Sequence, residues 1–318
     1  MLVVKTRLGV SDVLWMAAGA AGLLVFMLVM LHLRRGQDPA AQAAFRAQRA
    51  DVVGRMQLDL ALGSEAEKSA VLAVTDSDSQ TFADQARADS TRVEQERREL
   101  EELLTTGGTQ DERESLTRFT AAFADLQRID GDLLALAVKN TNVKAYGLAF
   151  GPAATALDEM NAALARLVAH ASADPDSSET RTTISLAFGA QVGALRIQAL
   201  LPRHIAEESD PKMDELEASM AAEDAAIRKD LDGLAHVPRL RDDRDLAVAS
   251  ARYADCSQLR RQILALSREN TNVRSLSISL NQKRKAMLAC QAALSALQRA
   301  VQEEPMSGTA YETPVRPR

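Results

Sequence analysis

Apolar side chains recur every three or four positions through most of the chain, which is the spacing of a helix that buries one face. Two stretches keep this spacing especially well. In the first, the apolar positions are Val143, Tyr146, Phe150, Leu157, Met160, Leu164 and Leu167. In the second, they are Val273, Leu276, Leu280, Met287, Cys290, Leu294, Leu297 and Val301. The spacing predicts the core of a helical bundle.

Turn and capping residues divide the pattern into eight segments. Five of the breaks are "TDSDS" (75–79), "TTGGT" (105–109), "SADPDSS" (172–178), "ESDP" (208–211) and "HVP" (236–238), and the other two are the "NTN" runs at 140–142 and 270–272. The predicted helices lie near 38–73, 78–104, 110–139, 143–171, 177–206, 211–235, 239–269 and 273–302. Because the loops between them are short, we expect antiparallel neighbours in up-down bundles.

The tetrapeptide Asn-Thr-Asn-Val occurs twice, at 140–143 and at 270–273. The match is longer than four letters, since "LLALAVKNTNV" (133–143) aligns with "ILALSRENTNV" (263–273). An internal repeat of this kind indicates two copies of one structural unit. The sequence therefore predicts two tandem antiparallel four-helix bundles, the first at 36–171 and the second at 177–302.

One segment near the N-terminus has the length and composition of a membrane helix. Residues 13–31, "VLWMAAGAAGLLVFMLVML", contain no charge, and the apolar character continues to residue 33. A helix of this length crosses a hydrocarbon layer of about 30 Å. A cleaved signal peptide is the alternative, but its apolar part is normally shorter and is followed by small residues. We expect an uncleaved transmembrane helix at 13–33, after a cytoplasmic N-terminus at 1–12.

Composition narrows the fold and the partners. Only 3% of the 318 residues are aromatic and 15 are Gly, which is typical of long helices and predicts an all-α protein. Acidic residues outnumber basic ones, 44 to 38. A chain with this balance is a poor candidate for binding nucleic acid or anionic lipid. Basic residues flank the apolar segment on both sides, at Lys5 and Arg7 and at Arg34 and Arg35, so charge alone leaves the orientation open.

The membrane segment, the acidic helical units and the contexts "NTNVKAYGLAFGP" and "NTNVRSLSISLNQKR" together resemble the sensory region of bacterial methyl-accepting chemotaxis receptors. The resemblance covers about residues 1–303. It implies a single-pass protein of the bacterial inner membrane, with the bulk of the chain in the periplasm and a homodimer as the assembly. We expect the second membrane helix, the HAMP linker and the signalling hairpin of those receptors to be absent, and the segment 303–318 to be a disordered tail.

Catalytic and metal-binding patterns are absent from the sequence. The four histidines, His32, His170, His204 and His236, stand far apart and without a second ligand at helical spacing. Neither a glycine-rich phosphate loop nor a nucleophile motif occurs. We therefore expect no enzymatic activity, no cofactor and no metal.

Two cysteines lie in the second half of the chain. If the chain turns back around Asn270 to Val273, Cys256 and Cys290 stand at about equal height on neighbouring helices, and a disulfide can form in an oxidising periplasm. Two reduced thiols in the core are the alternative. A turn near residue 281, corresponding to Gly151-Pro152 in the first unit, would separate the cysteines.

The repeated polar residues have two interpretations. Asn and Thr cap helix ends, and a buried Asn fixes register, so one role is structural. The other is to line a ligand pocket between helices. We favour capping or register, because the same letters recur in both units. These residues are Asn140, Thr141, Asn142, Asn270, Thr271 and Asn272.

Together these features predict a membrane-anchored periplasmic sensory protein that detects a small molecule or a protein partner and acts by association with an envelope or chemosensory protein. The alternative is a structural or scaffolding helical-bundle protein of a cell-envelope assembly, without a ligand. A third reading reverses the anchor and places the body on the cytoplasmic side.

Overall fold

The computed structural model describes residues 25–27, 29, 39–173 and 178–303. The predicted N-terminus at 1–12, most of the predicted membrane helix at 13–33 and nearly all of the predicted tail at 303–318 lie outside these residues. Within the apolar segment, the four described positions are helical. The described part of the chain is all-helical and contains no strand, which confirms the predicted all-α class.

The helices agree closely with the predicted segments. They are α1 (Pro39–Leu72), α2 (Asp76–Gly107), α3 (Gln110–Ala137), α4 (Thr141–Phe150), α5 (Pro152–Ala171), α6 (Ser178–Ala206), α7 (Asp210–Ala235), α8 (Arg244–Glu269), α9 (Thr271–Ile278) and α10 (Arg284–Glu303). A 3₁₀ turn, Pro238–Leu240, precedes α8, and a π-helix, Ser279–Lys283, joins α9 to α10. The predicted fourth segment is divided at Gly151, and the eighth at the π-helix.

The chain forms two compact units, and neither is one continuous stretch of sequence. The described part of unit 1 consists of residues 25–27, 29, 39–60, 91–122 and 289–303. Its described buried apolar residues come from α1, α2, α3 and α10, and include Val52, Met56, Leu100, Leu104, Leu116, Phe119, Leu294 and Leu297. A buried ion pair joins Arg49 of α1 to Glu112 of α3 at 2.8 Å. Glu112 also accepts a hydrogen bond from the Thr109 amide, as in a capping box.

Unit 2 consists of Ala61–Ser90 and Phe123–Leu288. In its larger core, α5 packs along α8 and α6 packs along α7, while α4 contacts both α6 and α8. This core includes Met160, Leu164, Ile197, Leu201, Ile227, Leu234, Tyr253 and Ile263. A smaller core joins the unit-2 parts of α1, α2 and α3 through Ala70, Ala83, Leu133 and Leu134.

These units differ from the tandem bundles predicted at 36–171 and 177–302. The expected boundary between residues 171 and 177 falls inside unit 2, whose larger core includes side chains from both sides of it. The physical reason lies at the repeated motif, which was expected to reverse the chain. Instead α4 and α5, which follow the first copy, pack on α8, and α9, which follows the second copy, packs on α4.

Among the described residues, α6 is the one helix long and apolar enough to cross a membrane, judged by length and composition. One face of α6 lies in the core of unit 2, through Ala187, Ala190 and Ile197. The other face exposes Phe188, Val192 and Leu195. A core helix of a water-soluble bundle has the same length and composition.

Candidate functional site

The two copies of the repeated motif lie in direct contact within unit 2. The Thr141 amide donates to Thr271 Oγ1 at 3.2 Å, and the Thr271 amide donates to Thr141 Oγ1 at 3.1 Å. The two hydroxyl oxygens are 3.2 Å apart, and both threonines are buried. Each threonine therefore supplies the acceptor that the other one's backbone needs.

The asparagines that follow repeat this exchange. The Asn142 amide donates to Asn272 Oδ1, and the Asn272 amide donates to Asn142 Oδ1, both at 3.1 Å. These amides belong to the first turns of α4 and α9, where backbone N–H groups have no partner within the helix. A helix normally satisfies them with the side chain of its own N-cap residue. Here each helix is capped by the other copy of the motif.

The N-cap residues, Asn140 and Asn270, adopt left-handed backbone with φ of 50° and 52°, and neither side chain caps its own helix. Asparagine tolerates this conformation better than residues with larger or branched side chains. The side-chain amides act elsewhere: Asn270 Oδ1 accepts from Asn142 Nδ2 at 2.7 Å, and Asn140 Oδ1 accepts from Asn272 Nδ2 at 2.9 Å. All the polar residues of the repeat thus belong to one interlocked network, which we call the NTN junction.

The NTN junction also contacts two further helix ends in unit 2. The carbonyl of Ile205, in the last turn of α6, accepts from Asn142 Nδ2 at 2.6 Å, and the carbonyl of Glu207 accepts from Asn270 Nδ2 at 2.7 Å. Ser79, in the first turn of α2, accepts from Asn140 Nδ2 at 2.9 Å. Four helix ends are therefore held by one set of side-chain amides.

A pocket of about 430 Å³ lies between the unit-2 part of α1 and the run from α9 to α10. Its walls combine apolar side chains with two exposed basic ones, Lys68 and Arg284. The lining residues are Ser64, Glu67, Lys68, Val71, Leu72, Leu276, Ser279, Leu280, Lys283, Arg284 and Met287. This volume is within the range of small-molecule sites. We call it the α1–α9 pocket.

A buried lysine lies at the base of this pocket. Lys283 is the last residue of the π-helix and is only 3% exposed. Its ammonium is 2.7 Å from Glu67 Oε2 and 3.2 Å from Asp130 Oδ1, so two carboxylates share one positive charge. The other oxygen of Glu67, Oε1, accepts no hydrogen bond from the described residues. Single-turn π-helices occur frequently at functional sites.

The pKa of Asp130 reflects this crowding. The pKa of Asp130 is raised from 3.8 to about 6. Burial is the main cause and the nearby negative charge of Glu67 adds to it, while Lys283 acts in the opposite direction. Desolvation is the largest cause, because the charged carboxylate loses water that one shared lysine does not fully replace. Asp130 therefore changes its charge close to neutral pH.

A second buried polar group, His204 on α6, was not anticipated from the sequence. Its Nδ1 is 2.8 Å from Ser267 Oγ and its Nε2 is 2.8 Å from Glu217 Oε1. Ser267 is itself buried and donates to the His204 carbonyl, so its hydroxyl links the backbones of α6 and α8. Glu217 also pairs with Arg268 at 2.7 Å, which lowers its pKa. These partners lie far apart in sequence, so no local spacing indicates the cluster.

Neither cysteine is part of a disulfide in the structure, so the bond considered between Cys256 and Cys290 is not formed. Cys256 directs its sulfur toward the Ala153 carbonyl of α5, at 3.6 Å, and burial raises its pKa to about 11. Cys290 is buried in unit 1. The disulfide required the two cysteines to lie on facing helices of one bundle, whereas Cys256 belongs to unit 2 and Cys290 to unit 1.

The described residues contain no group of three or more His, Cys, Asp and Glu side chains that could hold a metal ion. The strongest chemical features of unit 2 are therefore the NTN junction and the α1–α9 pocket with its buried lysine. No protein-family model, curated protein or solved structure matches this chain.

Proposed function

We propose that this chain is a membrane-anchored periplasmic sensory protein that binds a small molecule in the α1–α9 pocket and acts through association with a partner. The observation that carries the proposal is the pocket itself, which has apolar walls, exposed basic side chains and a buried lysine in a π-helix. Pockets that combine apolar walls with a few polar groups are typical of small-molecule sites. The apolar segment at 13–33 supports the anchor.

The position of the pocket along the chain supports a sensing role. Leu276, Leu280 and Lys283 of the pocket follow Thr271 of the NTN junction within one run of helical backbone. A π-helix contains an extra residue in its turn and occurs frequently at functional sites, and we propose that Ser279–Lys283 can also adopt an α-helical form. A ligand that binds one of two such forms more tightly shifts the equilibrium between them. The α9 helix would carry that change from the pocket to the junction.

Ligand screening of the full-length chain in a non-ionic detergent tests the proposal. A ligand present at 100 times its Kd stabilises the folded state by about 2.7 kcal/mol, which raises the melting temperature. The variant Leu276→Trp, which adds bulk inside the pocket, should abolish the shift. The matched control is Leu288→Trp, because Leu288 is also exposed but does not line the pocket. Absence of any shift across amino acids, organic acids, lipids and periplasmic extract would contradict the proposal.

A second candidate function is a scaffold of an envelope assembly, which acts without a ligand. The exposed apolar residues of α6, Phe188, Val192 and Leu195, favour it, because apolar stripes of this kind often mark protein contacts. Cross-linking in cells separates the two functions. A partner bound in constant proportion, with or without ligand, indicates a scaffold, whereas a partner whose yield changes with ligand indicates a sensor.

The membrane side has its own test. An alkaline phosphatase fusion after residue 303 should be active, since the enzyme folds only in the periplasm. An inactive fusion that is well expressed would place the body on the cytoplasmic side.

A further inference from the structure

We propose that the α1–α9 pocket selects an amphipathic anion, whose acidic group lies between Lys68 and Arg284 and whose apolar body lies against Leu276, Leu280 and Met287. This inference rests on the proposed function, because it assumes that the pocket is the ligand site. It goes beyond that function by naming the chemical class of the ligand.

The charge of the lining favours an anion. Three lining residues are basic, and Glu67 is the one acidic residue among them. Lys283 is already paired with Glu67 at the base of the pocket, so the net positive charge comes from Lys68 and Arg284. Both of these side chains are exposed, whereas Lys283 and Glu67 are buried. A ligand therefore meets positive charge where the pocket opens to solvent, in a chain whose net charge is −6.

The walls favour a ligand with an apolar body. Leu72, Leu276 and Leu280 all line the pocket and are 70%, 40% and 61% exposed. Single exposed leucines are common on protein surfaces. Three exposed leucines around one concave site form an apolar patch, and a bound ligand would remove this patch from water. A small polar anion such as acetate would leave these walls in contact with water. The leucine walls therefore favour a ligand with an apolar body, and the basic opening favours an anionic group at its other end.

The arrangement of the charges also sets the orientation. The buried lysine is occupied by two carboxylates, Glu67 and Asp130, so the base of the pocket carries no free positive charge. An acidic group placed there would meet the negative charge of these carboxylates. The anionic end of the ligand therefore lies at the opening with Lys68 and Arg284, and its apolar body lies along the leucine walls.

Four probes test the proposed class of ligand. Three have eight carbons, octanoate, octanol and octylammonium, and the fourth is acetate; each is added to the full-length chain in the same non-ionic detergent. Octanoate should raise the melting temperature, and its apparent affinity should exceed that of the other three by at least about tenfold. Equal shifts with octanol would overturn the inference, because charge would then be irrelevant. Equal shifts with acetate would also overturn the inference, because the apolar body of the ligand would then be irrelevant.

Variants locate the effect in the pocket. Arg284→Ala should weaken octanoate binding by about tenfold, and Lys68→Ala should do the same. The matched control is Lys285→Ala, since Lys285 is the next residue of α10, is exposed and does not line the pocket. Partition of octanoate into detergent is common to all variants and cancels in the comparison. Equal loss in the Arg284 and Lys285 variants, with unchanged circular dichroism, would overturn the inference.

A lipid and a free fatty acid share this chemistry, and the proposal commits to the free anion. Nanodiscs of phosphatidylglycerol and of phosphatidylcholine distinguish the sources. Stabilisation by phosphatidylglycerol that depends on Arg284, without any effect of octanoate, would overturn the commitment. If octanoate fails while another compound of the screen stabilises the chain and loses its effect in Leu276→Trp, the ligand class is wrong and the proposed function stands. If every compound fails, both are wrong.

Discussion

Removing the hydroxyl of Thr271 should leave the backbone amide of Thr141, which is 130 residues away in sequence, without a hydrogen-bond acceptor. In the NTN junction, Thr271 Oγ1 is the acceptor for the Thr141 amide, while the Thr271 amide itself uses Thr141 Oγ1. The variant Thr271→Val keeps the branched shape and removes the acceptor. The Thr141 amide then has no partner, whereas the Thr271 amide keeps its own.

The size of the effect follows from burial. Thr141 is 4% exposed, so water replaces the lost acceptor poorly. A buried donor left without a partner costs about 1–3 kcal/mol. Because 1.4 kcal/mol corresponds to a factor of ten, exchange of the Thr141 amide should accelerate by roughly 5-fold to 150-fold. Loss of the hydroxyl–hydroxyl contact at 3.2 Å adds to the destabilisation of both variants of the pair.

Hydrogen–deuterium exchange with mass spectrometry at single-residue resolution measures this crossed pattern. In Thr271→Val the faster amide should be that of Thr141, and in Thr141→Val it should be that of Thr271. The control Thr182→Val removes an exposed hydroxyl that bonds only within α6, and it should leave both amides unchanged. Acceleration confined to the mutated segment, or equal acceleration of both amides in each variant, would refute reciprocal capping.

Three further predictions concern buried groups of unit 2, each measured by urea unfolding of the full-length chain. Lys283→Met should destabilise it by about 3–5 kcal/mol, because Glu67 and Asp130 stay buried without their counter-ion. Asn270→Ala should destabilise it more than Asn270→Gly, by about 1 kcal/mol, since both lose the side-chain bonds but only alanine resists a φ of 52°; equal losses would contradict the role of the left-handed backbone. Asp130→Asn should remove a fall in stability between about pH 4 and pH 6. Because the pKa of Asp130 is about 6 in the folded chain, the folded chain keeps a proton that the unfolded chain releases near pH 3.8. The free energy of unfolding therefore decreases as the pH rises through that window, by up to about 3 kcal/mol, and is constant above it. If the difference in free energy of unfolding between the wild-type chain and Asp130→Asn is the same at every pH, Asp130 is not the group responsible.

The helices were predictable from the sequence because local patterns encode them. Spacing of apolar residues and the capping signals placed eight segments within a few residues of the observed helices. Apolar spacing did not indicate the π-helix at Ser279–Lys283, whose last residue, Lys283, is buried next to Glu67, 216 residues away in sequence. Local periodicity contains no information about a partner at that distance.

The association of helices was less predictable than the helices themselves. The repeat correctly drew attention to Asn140 and Asn270, but a short polar break is compatible with a chain reversal and with a change of packing partner. Only tertiary contacts distinguish the two, and here they join α5 to α8 across the expected boundary. The pocket was missed for the same reason, because Lys68 and Arg284 come together from opposite ends of the chain.

The apolar residues around the NTN junction define the axial position of their helix only weakly, and the polar residues of the junction define it more strongly. Ala145, Ala149 and Ala153 are buried at intervals of four residues, so a shift of one turn along the axis places one alanine where another was. Packing of such small, repeated side chains defines the axial position weakly. The same shift would move Thr141 about 5.4 Å from Thr271 and break the whole set of exchanged hydrogen bonds. In some proteins a buried polar group specifies one arrangement of helices even where it adds little stability. We therefore expect the repeated motif to fix the register of α4 against α9, while the apolar residues of unit 2 supply the stability.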